Sequence, residues 1–340
     1  MKLFVYGEFG DMALENSLVA HWQGDSRVNE VVLIERPPLP RKYTSEQIVR
    51  RFRPSLSAQL KTHNTELLRI LESGDAVQSA LLVFKGMELF PETLRRAKKR
   101  GISLYCYNPD HPFIYSGPGS GSKFMTDSIH LYDRYFTYNR EAQKMLNERD
   151  VSTAWIPFGY EEGAMAEPLV NARNEILRGC FIGNPNPSRI RFLKELEGLF
   201  PFDLYGNNWA KHFGKSPHIQ IYNPVHEAAH WTAMAQYRFQ LNLMALHNPN
   251  SHNMRTFSAP AAGAIMLAPQ NPDHELFFRD RKEVMLFESL EDCVEKSQAL
   301  LRMSFEEAME IRKAAKRRSV VSGYAYAERA QAILEQMAQP

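Results

Sequence analysis

Short apolar runs alternate with longer amphipathic stretches along almost the whole chain, and this alternation restricts the fold more than any other feature. In the first half, Leu3–Tyr6, Val31–Ile34, Ala80–Phe84, Ser103–Tyr107, Tyr135–Tyr138 and Thr153–Ile156 read as strands. Between them lie helical patterns at Asp11–Trp22, at Thr44–Leu71 (Thr44 as cap, Pro54 as a kink) and at Pro91–Lys99. A second series follows, with strands expected at Cys180–Ile182, Phe202–Tyr205, His218–Tyr222, Phe239–Met244, Ala264–Leu267 and Val284–Phe287. Helices are expected at Ser188–Leu196, after Pro224, at Leu290–Leu301, at Ser304–Arg318 and at Tyr324–Met337. Short apolar runs each followed by a helix are the pattern of parallel strands covered on both faces. The fold class read from this is α/β, with two doubly wound Rossmann-like parallel-sheet domains. Periodicity fades between Tyr160 and Arg178, which reads as the linker. The expected domains are 1–165 and 176–322, with a C-terminal helix over 323–340.

Composition agrees with two ordinary domains. The 340 residues are 44% apolar and 24% charged, which excludes disorder, and a net charge of +2 gives no case for a nucleic-acid partner. Cys106, Cys180 and Cys293 lie far apart within apolar or helical patterns and read as reduced core thiols. The N-terminal M-K-L-F-V-Y-G is too short for a signal-peptide core, and no stretch approaches a transmembrane span. The expected location is cytoplasmic, with any membrane contact peripheral.

The strongest chemical signal is Asn253–Gly263, N-M-R-T-F-S-A-P-A-A-G, followed by the apolar run Ala264–Ala268. It reads as a polar loop, a short helix broken near Pro260, a glycine stop and a buried strand. A helix N-terminus beside the Arg255 guanidinium suits a diphosphate, because both offer donors and positive charge to phosphate oxygens.

This segment resembles the nucleotide-sugar site of the CgeB-like group 1 glycosyltransferases. F-I-G-N-P-N-P-S-R (Phe181–Arg189), L-Y-G-N-N-W (Leu204–Trp209), L-N-L (Leu241–Leu243) and E-V-M-L-F-E-S-L-E-D (Glu283–Asp292) extend the likeness over most of residues 178–335. The resemblance implies a GT-B fold, with an acceptor domain and a donor domain facing a cleft and a final helix that crosses back to the first domain. It implies metal-independent transfer of a sugar from a nucleotide diphosphate sugar to a cell-surface glycan, lipid-linked or protein acceptor, with retention of configuration. No cofactor beyond that co-substrate is implied. Arg255 would contact the diphosphate as the catalytic cation. Gly183, Asn184, Asn207, Trp209, Asn253, Met254, Thr256, Phe257 and Ser258 would form the donor site, with Trp209 either stacking on a base or packing in the core. Retaining members carry two glutamates eight positions apart; Asn250 and Ser258 occupy those positions here. A serine can hydrogen-bond one ribose hydroxyl but lacks the charge-assisted grip of a carboxylate. The same serine supports a second reading, a non-catalytic nucleotide- or glycan-binding relative.

In the first domain, Gly7 and Glu8 open the strand-to-helix turn G-E-F-G, which lacks two of the three glycines of a dinucleotide fingerprint. Asp110 and His111 in N-P-D-H-P follow a strand and precede the glycine-rich Ser116–Ser122, so they are candidates for acceptor binding or proton transfer beside a lid. A turn capped by the aspartate is the alternative there. His226–His230, H-E-A-A-H, matches the zinc-protease pattern, in which His226 and His230 bind metal and Glu227 activates water. No third ligand follows at the usual spacing, so zinc hydrolysis ranks behind sugar transfer. The basic clusters at Arg95–Arg100 and Lys313–Arg318 end helices, where cations favour the dipole.

Overall fold

The computed structural model describes residues 1–10, 13–38, 54–72, 78–114, 120–165, 170–244 and 250–339. The Thr44 cap and the centre of the glycine-rich stretch lie outside these residues. The chain divides into two compact units, Met1–Pro157 with Ala327–Pro340, and Phe158–Tyr326.

The first unit is built on β1 (Lys2–Gly7), β2 (Glu30–Glu35), β3 (Ser79–Phe84), β4 (Ser103–Asn108), β5 (Arg134–Thr137) and β6 (Thr153–Trp155). They form one parallel sheet in the order β2-β1-β3-β4-β5-β6. Strand β3 is buried at every position, which is why its sequence reads as an unbroken apolar run rather than an alternation. Leu94, Ala97, Leu104, Cys106, Tyr135 and Leu146 pack with Phe4, Tyr6, Leu81 and Val83 in the core. The last helix, Tyr326–Met337, is held into this unit. Trp22 Nε1 donates to the Ala330 carbonyl at 3.0 Å, Tyr105 Oη to that of Met337 at 2.8 Å, and Arg134 Nη1 to that of Gln336 at 2.7 Å.

The second unit contains β7 (Ile176–Ile182), β8 (Phe202–Tyr205), β9 (Ile219–Tyr222), β10 (Tyr237–Leu241), β11 (Met266–Pro269) and β12 (Met285–Phe287). Its order, β12-β11-β10-β7-β8-β9, is the doubly wound Rossmann order. Strand β7 begins at Ile176, inside the stretch expected as linker, because Ile176 pairs with Tyr237 and extends the sheet. The helix at Met254–Ala261 runs through Pro260 instead of breaking there. Pro260 falls in the last turn, so its missing N–H removes one bond close to where the helix ends anyway. Gly263 then takes φ +79°, the left-handed conformation that stops the helix and turns the chain toward β11.

Each sheet has a topological switch point, where successive crossovers leave a strand in opposite directions. In the first unit it lies between β1 and β3, and in the second between β7 and β10. Ligands of open α/β sheets bind beyond the carboxyl ends of the strands at such points. Gly7 and Glu8 follow β1, and Gly183 and Asn242 follow β7 and β10.

Candidate functional site

The second switch point is organised by Asn253, the N-cap of the helix Met254–Ala261. Its Oδ1 accepts from the backbone N–H groups of Arg255 at 2.8 Å and Thr256 at 3.2 Å, while Asn253 N donates back to Thr256 Oγ1 at 3.2 Å. Asn253 Nδ2 donates to Asn242 Oδ1 at 2.7 Å, and Asn242 Nδ2 donates to Thr256 Oγ1 at 3.1 Å. Thr256 Oγ1 thus accepts twice, and its own hydrogen goes to His274 Nε2 at 3.2 Å. His274 Nδ1 then donates to the Pro269 carbonyl at 2.7 Å. Burial pushes the His274 imidazole down to about 4, which keeps it neutral in this chain of bonds. The cap is therefore bolted to the ends of β10 and β11, and the helix N-terminus has one fixed position.

The preceding loop is fastened separately. His252 Nδ1 lies 2.7 Å from Asp273 Oδ2, Ser251 Oγ donates to the same oxygen at 3.0 Å, and Phe158 N donates to His252 Nε2 at 3.2 Å. Phe158, Phe257 and Phe277 pack edge-on around the His252 ring.

Arg255 is the first residue of the site with nothing to neutralise it. It is half-buried, its Nε is sealed from solvent, and it has no hydrogen-bond or carboxylate partner for its side chain among the described residues. Burial first, and the nearby Arg189 charge second, push its guanidinium down to about 10. A guanidinium stays protonated at neutral pH regardless, so the shift marks a buried charge that an anion would stabilise. Arg189 adds a second cation. Its Nη1 and Nη2 donate to the carbonyls of Asn184 (3.1 Å) and Leu243 (3.2 Å), while its Nε is buried without a partner. His230 completes the group: Nδ1 is buried and unpartnered, and burial together with the Arg255 charge pushes the imidazole down to about 4.

The glycine turns let these groups approach. Gly183 follows β7, and a Cβ there would meet Arg255 Nη2 and the Phe181 ring. At Gly206, φ +148°, a Cβ would collide with the Gly183 carbonyl. Asn184 Oδ1 accepts from Asn207 N at 3.0 Å, linking the two turns. Residues 189–335 match the family model described as glycosyl transferase-like. No curated protein sequence matches the chain significantly. Among solved structures, Anabaena Alr3699/HepE in complex with UDP aligns at 10% identity, covering 99% of this chain and 100% of that one, with a TM-score of 0.66. Sucrose-phosphate synthase from Thermosynechococcus elongatus aligns at 9% identity, 99% and 98% coverage and a TM-score of 0.67. OtsA in its apo state aligns at 11% identity over 100% of both chains, with a TM-score of 0.68.

This chain has the GT-B glycosyltransferase fold.

On that fold, Arg255, Gly183, Asn184, Asn207, Asn253, Thr256 and Met254 come together at the second switch point. Met254 is exposed at the first helical position. Phe257 is wholly buried and packs against Phe277 and Tyr324, so it fixes the helix from behind. Ser258 is 6% exposed, and Asn250, at the other family glutamate position, is exposed. Trp209 takes the core-packing alternative, not the stacking geometry. It is 0% exposed, packs edge-on against Phe181, and donates Nε1–H to the Gly183 carbonyl at 2.7 Å. It offers no free face to a base and instead holds the glycine turn. Sequence reasoning missed Arg189 as a site residue, although it ends the quoted F-I-G-N-P-N-P-S-R. It read His230 as a zinc ligand or as a histidine that caps, pairs or faces solvent, not as part of this site.

The zinc pattern H-E-A-A-H falls at the start of a helix. His226 is the extended N-cap residue of the helix Glu227–Gln236 rather than a helical one, and the Glu227 side chain lies outside the described residues. No cluster of three metal-ligating side chains occurs among the described residues. Arg255 beside His230 also makes the local potential positive, which opposes a divalent cation.

In the first unit, Glu8, Glu15, Arg36, Lys85 and Pro109 line a depression of about 430 Å³ at the carboxyl ends of β1 and β3. Arg36 pairs with Glu8, and Lys85 with Asp110 at 2.5 Å. Lys85 holds φ +61°, a conformation uncommon for a side-chain-bearing residue and frequent at functional edges. Burial pushes the Glu15 carboxyl up, against the hydrogen bond it accepts from Glu8 N at 3.1 Å. His111 is 0% exposed, and its Nδ1 accepts from Phe113 N at 3.2 Å and Ile114 N at 3.0 Å. It caps the turn after β4. No helix among the described residues is long and apolar enough to cross a membrane.

Proposed function

We propose that this chain is a glycosyltransferase of the CgeB-like group 1 kind, moving a sugar from a nucleotide diphosphate sugar to a glycan, lipid-linked or protein acceptor. The observation that carries the reading is the pair Arg255 and Arg189, two cations with no carboxylate partner among the described residues, at the switch point of a Rossmann-ordered sheet, Arg255 standing in the first turn of its helix. Diphosphate oxygens would take the side-chain N–H groups of Arg255 and gain from the helix dipole, removing a standing electrostatic penalty. The solved structure of HepE is a complex with UDP, and another of its structures holds UDP-glucose, which supports a nucleotide sugar as the ligand.

The reaction would be metal-independent and retaining. Arg255 stabilises charge growing on the departing diphosphate, the electrostatic help that usually dominates such catalysis. The acceptor would be seated in the first unit, at the depression lined by Glu8, Glu15, Arg36 and Lys85, with Asp110 fixing Lys85 and His111 fixing the turn beneath it. Any membrane association would be peripheral, and the site of action cytoplasmic.

Ser258 and Asn250 favour one second reading, a protein that binds the nucleotide and does not turn it over. A release assay with UDP-glucose and other nucleotide sugars, with and without glycan acceptors, separates the two. Free nucleoside diphosphate released by the wild-type chain and not by Arg255→Ala supports transfer. Binding without release from any donor supports the second reading.

A further inference from the structure

His230 is the one element of the second-unit site that neither the resemblance nor the diphosphate chemistry of Arg255 requires. It lies on the helix Glu227–Gln236, which packs against the Arg-bearing helix Met254–Ala261. Its Nδ1 is buried and, among the described residues, makes no hydrogen bond, whereas Arg255 and Arg189 each bury an unpartnered Nε in the same neighbourhood. Arg255 is close enough for its charge to act on the imidazole, and on Cys180 of β7 as well. Buried polar atoms are almost always satisfied in folded proteins. Arg255 is near enough to Arg189 on one side and His230 on the other for the charges to act on each other, so an acceptor-rich ligand at Arg255 would have unsatisfied nitrogens on both sides.

Resting on the donor-site reading above, we propose that His230 is a third nitrogen donor of the site, giving its Nδ1–H to an oxygen of the bound diphosphate alongside Arg255. The neutral imidazole suits this role. Desolvation, Arg255 and His226 all disfavour its protonated form, so it adds a directional donor without adding a third charge to two repelling arginines. Cys180 and Trp231 flank the site and carry no competing acceptor of comparable strength. A neutral donor beside the cations would make the site prefer a tightly spaced set of oxygens, as in pyrophosphate, over a single carboxylate.

The test uses substitutions that keep or lose a donor at the Nδ1 position. An asparagine amide nitrogen sits close to where Nδ1 lies, a glutamine amide closer to Nε2, and alanine removes both. Binding of inorganic pyrophosphate and of UDP to the full chain is measured by titration calorimetry for wild type, His230→Asn, His230→Gln and His230→Ala, with melting temperatures alongside. Expected is His230→Asn within about threefold of wild type, and His230→Gln and His230→Ala weaker by roughly tenfold, with all four melting alike. Equal affinity across the four proteins, or a loss in His230→Asn as large as in His230→Ala, overturns the proposal and leaves the donor site standing. Wild type that binds neither pyrophosphate nor any nucleoside diphosphate overturns the donor-site reading itself.

Discussion

Arg255 Nη2 lies 3.4 Å from the point where a Cβ on Gly183 would stand. The glycine after β7 is thus the space into which the guanidinium reaches, and the Trp209 indole bonded to the Gly183 carbonyl keeps the turn in place. A glycine turn and an arginine 72 positions later form one surface only because β7 and β10 are neighbours at the switch point.

Gly183→Val tests that relationship. Its branches would crowd both Arg255 and the Phe181 ring, an overpacking cost of about 1–3 kcal/mol. The expected result is a folded protein of lower melting temperature whose affinity for nucleoside diphosphates falls at least about tenfold. Unchanged affinity would mean that the guanidinium does not need this space.

Asn253 separates capping from charge. Asn253→Ala removes the acceptor for two helix N–H groups and the tie to Asn242, and should cost ~1–2 kcal/mol in chemical denaturation. Asn253→Asp keeps the cap but sets a carboxylate beside Arg255. Stability should be largely retained while pyrophosphate binding weakens, because the added charge occupies the cation that the ligand needs.

The fold was legible where burial is uniform. All twelve described strands were readable: inner strands covered on both faces leave continuous apolar runs, as at Ala80–Phe84 within the wholly buried β3, and the edge strand β2, buried only at Ile34, still carries its V-V-L-I run. Strand starts were less legible, as at Ile176, because residues outside a strand's apolar centre join it through pairing that only the neighbour reveals. In the site, Asn253, Arg255 and Thr256 were visible as a cap and a cation in one local motif. Arg189 and His230 were not, because their significance is an absence of partners in space, which no spacing encodes. Trp209 stayed open between stacking and core packing for a related reason: an indole one turn from a glycine loop reads the same in sequence whether its ring faces solvent or the Phe181 core.

Away from the site, Glu175 sits between two buried arginines, 2.7 Å from Arg238 Nη2 and 2.9 Å from Arg312 Nη2. All three side chains are at most 5% exposed. Glu175→Gln would leave two buried cations facing each other, and removing one partner of such a group typically costs ~3–5 kcal/mol. Urea denaturation should register a loss of that order, and a loss below about 1 kcal/mol would mean that the network is open to water.

The neutral relay through His274 makes a pH prediction. Folding lowers its pKa from an unfolded value near ~6.5 to about 4, so below that unfolded value the unfolded chain binds the proton and the folded chain refuses it. Stability is therefore whole above about pH 6.5 and declines toward pH 4, by at most ~1.4 kcal/mol per pH unit for this group. Denaturation across that range should show a shallower decline in His274→Asn, by about one proton. Identical slopes would place His274 in contact with solvent.

The central claim is that Arg255 and Arg189 form a site for the diphosphate of a nucleotide. Calorimetric titration of UDP, GDP and ADP into wild type and Arg255→Ala, each checked for an unchanged melting profile without ligand, tests it most directly. The account predicts binding of at least one nucleoside diphosphate by wild type and a loss of about a hundredfold or more in Arg255→Ala, as expected for a charge-assisted pair in a partly buried site. Equal affinity in the two proteins, or no binding of any of the three by wild type, would contradict it.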